Sequence, residues 1–410
     1  MTSTVPSFEQ IDFTDPDLLQ RGGLPIAEFA ARRATAPVWW NPQDVGKEFY
    51  GDDGFWVISR HSDIRAISKD AGLWSSNLKG FNVRMPDEAG PEHLEASKSF
   101  LIGLDPPEHT RMRRIVSRLF TPRAVGALRG KLDAYARDVV TAAAESGTGN
   151  FVDDVAVHLP MRAILDLLGV PEADHQYLAD LADAMANAED PDIKYNPFTA
   201  NANLLAYAHA MAEDRRKNPT DDIVTTLVQA DIDGHALSEL EFGFFVILLV
   251  IAGNETTRNA TSHGINAFLD HPDQWELYKR ERPPTTVEEI IRWATPVHAF
   301  QRTATRDTEV GGVRIERGQR AGLFYSSANY DDEVFDDPFS FDILRDPNPH
   351  LAFGGNGAHF CIGAGLARLE LDLIFNALAD IVPDITKLGA PVRVRSGWLH
   401  GVKRLPVSYR

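Results

Sequence analysis

The chain has 410 residues, 43% hydrophobic and 24% charged, which is enough apolar material for one large core or a few small ones. A net charge of −18 argues against nucleic acid as a partner. The single cysteine excludes an intrachain disulfide and fits a reducing cytoplasm, and the first residues lack the basic and apolar regions of a signal peptide.

Residues 1–23 read as an irregular arm punctuated by Pro6, Pro16, Gly22 and Gly23. Residues 24–33 pattern as a helix, 55–59 as a strand and 61–69 as a helix. The stretch 75–103 reads as loop with a helical piece at 91–100. Long loops in compact domains are usually functional or disordered, and Phe81, Val83, Met85 and Phe100 let this one close over an apolar ligand. Asp105 can cap a helix, with prolines in the first turn and Glu108 three residues on. That helix puts His109 and Arg113 on one face. Between Asp105 and Arg123, Arg111, Arg113, Arg114, Arg118 and Arg123 face two acids, a local charge of +3. Taken alone, this is a solvated amphipathic helix. Residues 128–218 pattern as helix with breaks at 147–149, Pro160, 169–171 and 191–197. The polar stretch 185–200 is expected to be exposed, as a lid over a ligand. A short helix is expected from Asp221 to Ala230.

A long helical run begins at Leu237 and is apolar almost all round from 242 to 252. It reads as a buried central helix, its apolar run too short to span a bilayer. The sequence AGNETT, Ala252 to Thr257, interrupts it. A mid-helix glycine costs about 1 kcal/mol against alanine, and Asn254, Glu255 and two threonines need partners when buried. A local rule broken in a central element often marks function; the bland alternative is a capping-type polar patch. Leu249, Ala252, Gly253 and Thr256 fall on one face, where small residues let a flat group approach. Glu255 and Thr256 supply a carboxyl and a hydroxyl able to relay protons. Further on, Glu289 and Arg292 stand at i and i+3, which in an exposed pair contributes only ~0.3–0.5 kcal/mol. Residues 299–331 read as strands and turns, 329–346 as irregular, and 395–410 as a hairpin with Trp398 and Leu399 at its tip.

The stretch FGGNGAHFCIGAGLAR, 353–368, holds the only cysteine, Cys361. Gly354, Gly355 and Gly357 precede it, and Gly363 and Gly365 follow. A helix then begins, with Ala367, Leu371, Ile374, Phe375, Leu378 and Ile381 on one buried face. A helix N-terminus favours thiolate over thiol. A lone cysteine is usually an inert small hydrophobe, and glycine runs before helices also bind phosphate. This loop, however, follows neither the P-loop nor the dinucleotide spacing, and it carries His359 and no lysine.

The spacing of glycines, His359, Cys361 and Gly363 resembles the haem-binding signature of the cytochrome P450 superfamily. Phe353 lies one position further from the cysteine than that family's usual aromatic. AGNETT resembles the family's acid–alcohol pair, HTRMR its HxxxR, EEIIR its ExxR, and FQR its strand arginine, all in family order. The resemblance implies a mainly α fold with small β-sheets (α+β), a single haem-thiolate domain over 1–410 with a β-rich subregion. It implies haem b with Cys361 as the axial ligand of iron, a ligation that favours O–O cleavage. It gives the propionates to His109, Arg113, Arg302 and His359, and places Ala252, Gly253, Phe353, Gly355 and Gly363 around the macrocycle. Glu255 and Thr256 become catalytic, and Glu289, Arg292 and Arg345 a buried structural network. Dioxygen is then the co-substrate, and electrons come from NAD(P)H through a reductase and a ferredoxin docked on a basic face including Arg111, Arg114 and Arg118. The combination of AGNETTRN, the longer cysteine loop and SGWLHGVK looks like the bacterial branch that oxidises terminal methyl groups of steroid side chains, as in cholesterol and cholest-4-en-3-one. Methyl-branched lipids, fatty acids or terpenes are the alternative substrates. Phe100, Leu249, Val297 and Trp398 are the candidate lining residues. A thiolate-haem sensor is the non-enzymatic alternative, which the Glu255–Thr256 pair disfavours. A cytoplasmic monomer with no transmembrane segment is expected.

Overall fold

The computed structural model describes residues 11–220, 222–232 and 235–410, and these are mainly helical, with the strands gathered in small sheets. The helices that build the site are α1 (Ile26–Thr35), α2 (His61–Lys69), α3 (Pro91–Ser97), α4 (Glu108–Val116), α5 (Pro122–Ser146), α6 (His158–Leu168), α7 (His175–Ala186), α8 (Pro197–Lys217), α9 (Glu239–Asp270), α10 (Thr286–Ala294) and α11 (Ala364–Ile381). The main sheet uses β1 (Val38–Pro42), β2 (Gly54–Ile58), β3 (Trp74–Ser75), β4 (Ala299–Ala304) and β5 (Arg320–Phe324) in the order β1-β2-β5-β4-β3. Only the β2–β5 pair is parallel.

Helix α9 is the axis of the helical part. Ser238 caps it, accepting from the Glu241 amide at 3.2 Å while Glu241 accepts from the Ser238 amide at 2.9 Å. At 32 residues it is the one helix among the described residues long and apolar enough to cross a bilayer. Here it is a core helix: Phe242, Phe245, Ile247, Val250, Ile265 and Phe268 are buried beneath α6, α7, α8, α10 and α11. Its three glycines mark where neighbours cross. A Cβ at Gly243 would stand 2.3 Å from Leu205 of α8, one at Gly253 2.5 Å from Ile164 of α6, and one at Gly264 2.7 Å from both Ile290 of α10 and Phe375 of α11. Gly253 therefore serves the packing of α6 on α9, while part of its own surface stays accessible beside Ala252.

Several sequence expectations need correction. The arm is not irregular throughout: Pro16–Gly22 is a helix whose cap, Asp15, accepts from the Asp17 amide; residues 1–10 lie outside the described residues. Residue 221 is also outside them, and the short helix runs Ile223–Val228 with Asp222 as its cap. Asp105 does not cap with its side chain. Its carboxylate accepts from the Ser75 hydroxyl and from the Ser76 amide at 2.7 Å, and α4 starts at Glu108. The polar stretch after α7 is not an exposed lid along its whole length, because Asn187 and Asp190 are buried. The C-terminal hairpin has other arms: Val402–Arg404 pairs with Val392–Arg393, and Pro406–Ser408 pairs elsewhere, though Trp398 does stand in the connecting turn.

The chain leading to Cys361 is positioned by one buried network. Glu289 and Arg292 of α10 are both 0% exposed. The Glu289 carboxylate accepts two bonds of 2.7 Å from Arg292, one of 3.2 Å from Arg345, one of 2.9 Å from Asn348 and one of 3.0 Å from the Asp342 amide. Arg292 also donates to the carbonyls of Asn329, Pro338 and Ser340, and Arg345 to those of Asp336, Asp337 and Ser340. A segment without regular structure is thus held by charge-assisted bonds from a helix. Glu289→Gln leaves two buried guanidinium groups short of an anion. It is expected to cost about 3–5 kcal/mol, read as a lowered urea midpoint.

Candidate active site

Cys361 precedes α11, and its amide donates to the Phe353 carbonyl at 2.9 Å, closing the glycine loop. The thiol is accessible, yet its surroundings are protein: burial pushes its pKa up, opposed by the Gly363 and Ala364 amides and by the Arg113 and Arg368 charges. Accessible but desolvated, the sulfur faces an internal space. The loop glycines serve a different neighbour from the one expected. A Cβ at Gly355 would fall 2.3 Å from Ser68 Oγ, and one at Gly357 1.6 Å from the Ser68 carbonyl oxygen, so both let the loop lie on α2. A Cβ at Gly363 would instead make an ordinary 3.9 Å contact with Cys361 Sγ, so space beside the sulfur does not by itself demand glycine there. The Phe353 ring lies under the Arg368 guanidinium, 4.6 Å from its centroid.

Four basic groups converge beside this loop. The rings of His109 (α4) and His359 lie 4.1 Å apart. Burial, then the Arg113 and Arg302 charges, pull His109 down to about 4. Burial, then Arg302, His109 and Arg113, pull His359 well below the ordinary histidine range. Burial also lowers Arg113 and Arg302. Arg302, in β4, donates to the Gln301 carbonyl at 2.6 Å, and Arg113 donates to the Phe360 carbonyl. His109 Nε2 is buried with no partner. The nearest acid, Asp105, is engaged by Ser75 and Ser76, and Ser76 Oγ meets His359 Nε2 at 3.2 Å. Two desolvated guanidinium groups thus stand beside two neutral imidazoles, one of them with an orphaned ring nitrogen. They fit a group bringing carboxylates to the side of the thiol.

Helix α9 opens one face onto an internal space. Leu248, Ile251 and Thr256 are half-buried and Ala252 is exposed, with Gly253 half-buried at the edge of this stripe, whereas Leu249, Val250, Asn254 and Glu255 are buried. The spacing i, i+3, i+4, i+8 is one helical face. The open stripe is therefore shifted from the expected set: Leu249 is buried, with Leu248 in its place, and Gly253 meets Ile164. Thr256 Oγ donates to the Ala252 carbonyl at 2.7 Å, which leaves its lone pairs free to accept. Glu255 points elsewhere. It is 1% exposed and accepts from Asn187 of the α7–α8 connection at 3.0 Å, from Asn254 at 3.3 Å and from Arg258. Burial pushes its carboxyl up to about 7 against the pull of Arg258. Of the lining candidates, Phe100 packs edge-on against Phe244, and Trp398 stacks on Phe300 with centroids 6.2 Å apart. Val297 bridges to Leu399.

Sequence reasoning missed Ser76, Asn187, Arg258 and Phe300. Arg258 was visible as the i+3 partner of Glu255, and Phe300 as the neighbour of the strand arginine. Asn187 lies 68 residues from Glu255, with no local signal.

The family model for cytochrome P450 matches residues 284–378, the span holding the Glu289 network, the strand arginine and the cysteine loop. A curated steroid C26-monooxygenase of Rhodococcus jostii is 54% identical over 402 residues, covering 98% of this chain and 85% of the relative. The chain belongs to the cytochrome P450 family. A methyl-branched lipid omega-hydroxylase of Mycobacterium tuberculosis is 39% identical over 390 residues, covering 93% of this chain and 90% of that one. The structure of a Mycobacterium marinum cytochrome P450 in complex with pseudoionone superposes with a TM-score of 0.90 at 37% identity, covering 99% of this chain and all of the other. Membership of the P450 family brings haem-thiolate chemistry, dioxygen, an apolar substrate and an electron-transfer partner. The unpaired basic cluster suits the two propionates of such a haem. Removing one of these uncompensated charges with Arg302→Met is expected to leave the haem-free P450 as stable as wild type, or up to about 2 kcal/mol more stable, in urea unfolding. A loss of about 3–5 kcal/mol would mean that the guanidinium already has a full partner.

Proposed function

We propose that this P450 is a monooxygenase that oxidises the terminal methyl group of a steroid side chain, with cholest-4-en-3-one or cholesterol as substrate. The observation that carries this reading is the 54% identity over 98% of the chain to a steroid C26-monooxygenase. The half-buried apolar face of α9 and the Trp398–Phe300 pair support it, since a long apolar substrate needs such walls. Haem, when bound, would supply dioxygen activation, with the thiolate favouring O–O cleavage. Cys361 would hold the iron, and Arg113, Arg302, His109 and His359 the propionates, Arg113 and Arg302 as forked donors to carboxylate. Anions placed there would also offset the desolvation of the two guanidinium groups. Ala252 leaves space on the open face, where the Thr256 hydroxyl accepts on its free lone pairs and, on releasing the Ala252 carbonyl, would donate its proton. Glu255 stores the replacement proton: its carboxyl is protonated below about 7 and so available near neutral pH. Leu248 joins Phe100, Val297 and Trp398 as walls for the substrate, with Leu249 behind them. One haem-thiolate domain over 1–410, working as a cytoplasmic monomer, takes electrons originating in NAD(P)H from a ferredoxin. Arg114 and Arg118 are exposed on the face proposed for that docking, and Arg111 there pairs with Glu241 of α9.

Cholest-4-en-3-one is expected to shift the Soret band with low-micromolar or tighter affinity and to yield a chain-end alcohol by mass spectrometry. Silence with every sterol, alongside a response to a methyl-branched fatty acid, would move the assignment to lipid ω-hydroxylation, the activity named for the 39% relative.

Proton delivery gives a separate test. Because the protonated carboxyl is the donor, turnover is retained below the Glu255 pKa of about 7 and lost as pH rises through it. That alkaline limb is expected to vanish in Glu255→Gln, which is slow at every pH. Thr256→Ala is expected to cut product formed per reductant consumed by about ten-fold or more; full coupling in that variant would remove Thr256 from the relay.

A further inference from the structure

The turn that carries Trp398 is fastened from two sides. On one, backbone bonds tie it to the chain entering β4: the His298 amide donates to the Trp398 carbonyl, and the His400 amide to the Pro296 carbonyl, each at 2.8 Å. On the other stands Glu189, three residues past the end of α7, its side chain only 7% exposed. One carboxylate oxygen accepts from Arg84 Nε at 2.7 Å and the other from the Gly397 amide at 2.7 Å. Its own carbonyl accepts from Arg395 at 2.8 Å. The next residue, Asp190, accepts from the Arg395 amide at 3.0 Å and from Lys403 at 2.7 Å. A Cβ at Gly397 would stand 2.3 Å from the Thr14 carbonyl oxygen and 2.7 Å from Arg84 Cδ, so only glycine lets these elements meet there. Four distant segments, near 14, 84, 189 and 397, converge immediately before Trp398.

A buried ion pair contributes little net stability compared with apolar packing, because desolvation offsets its attraction. What it fixes is geometry. We propose that Glu189 is a positioning residue for the substrate pocket: by holding Arg84 and the Gly397 amide on its two oxygens, it sets where the Trp398 indole stands. The clamp selects for ligands that reach the Trp398–Phe300 wall and does nothing for ligands too small to touch it. This rests on Trp398 lining the pocket as proposed above, and not on the substrate being a steroid.

Glu189→Gln is the variant to make. It keeps the shape of the side chain but has one acceptor oxygen for two donors. Arg84 retains Asp87 at 2.7 Å and Asp12 at 3.6 Å, so it is not left without an anion. Loss of one amide bond is expected to speed hydrogen exchange at 396–399 by about ten-fold while 402–404 stay protected. In the holoenzyme, cholest-4-en-3-one is expected to bind about five-fold more weakly, with product spreading from the terminal methyl to the adjacent carbon. Imidazole, which reaches iron without touching Trp398, is expected to keep its affinity within about two-fold, being outside any bond the change removes. Equal weakening of both ligands, or unchanged exchange at 396–399, would overturn the proposal. If wild type ignores cholest-4-en-3-one, the steroid assignment fails by itself, and the same comparison with 15-methylhexadecanoic acid against imidazole tests the clamp.

Discussion

The carboxylate of Glu289 is the constraint on which the cysteine loop depends. It has no access to water, and five donors converge on it from Arg292, Arg345, Asn348 and the Asp342 amide. Two arginines then spend their remaining N–H groups on carbonyls between Asn329 and Ser340. Irregular chain buried in a protein carries backbone polar groups that neither helix nor strand satisfies. Here an ionic centre satisfies them, and so a non-repetitive segment acquires one conformation. That segment delivers Leu351, Phe353 and then Cys361 to the mouth of α11, where 0.5 Å of misplacement matters for a ligand atom.

Helix α9 meets two opposite demands. On most of its circumference it must pack tightly, and it does so by giving up side chains at Gly243, Gly253 and Gly264, where α8, α6, α10 and α11 cross. On one stripe it must not pack at all. Leu248, Ile251, Ala252 and Thr256 keep accessible surface in the middle of a core helix. Glu255 stands between these regimes. Adjacent to Thr256 in sequence but turned by about 100° around the helix, it lies among Asn187, Asn254 and Arg258. Burial there lifts its pKa to about 7, where a carboxyl still carries a proton in a neutral solution.

The basic cluster shows function held at the expense of stability. Burial lowers the proton affinity of all four, and the Arg113 and Arg302 charges lower His109 and His359 further. No hydrophobic or ionic economy within the chain accounts for gathering them. An anionic cofactor does, and it would return the energy on binding. A buried carboxylate also organises the turn before Trp398, where Glu189 accepts from Arg84 and from the Gly397 amide.

The sequence by itself determined the chemistry and its order along the chain. A lone cysteine in a glycine loop, a polar interruption in an apolar helix, and the spacings around His109, Glu289 and Arg302 were legible because each is local, within a few residues of one helix or turn. Arg345 was legible only through the family resemblance, which implies a third partner for Glu289 and Arg292 in the segment before the cysteine loop. Only the tertiary structure decided what each residue faces. Gly253 and Gly355 were read as room for a macrocycle, yet they make room for Ile164 and Ser68. The open stripe on α9 runs through Leu248 and not Leu249, because which arc of a uniformly apolar helix is left uncovered depends on where its neighbours cross. Asn187 and the Glu189 side chain looked like exposed loop and are buried, since partners of theirs lie 68 residues and more away. Periodicity reports a helix and its apolar faces; it carries no information about the elements that fold against them.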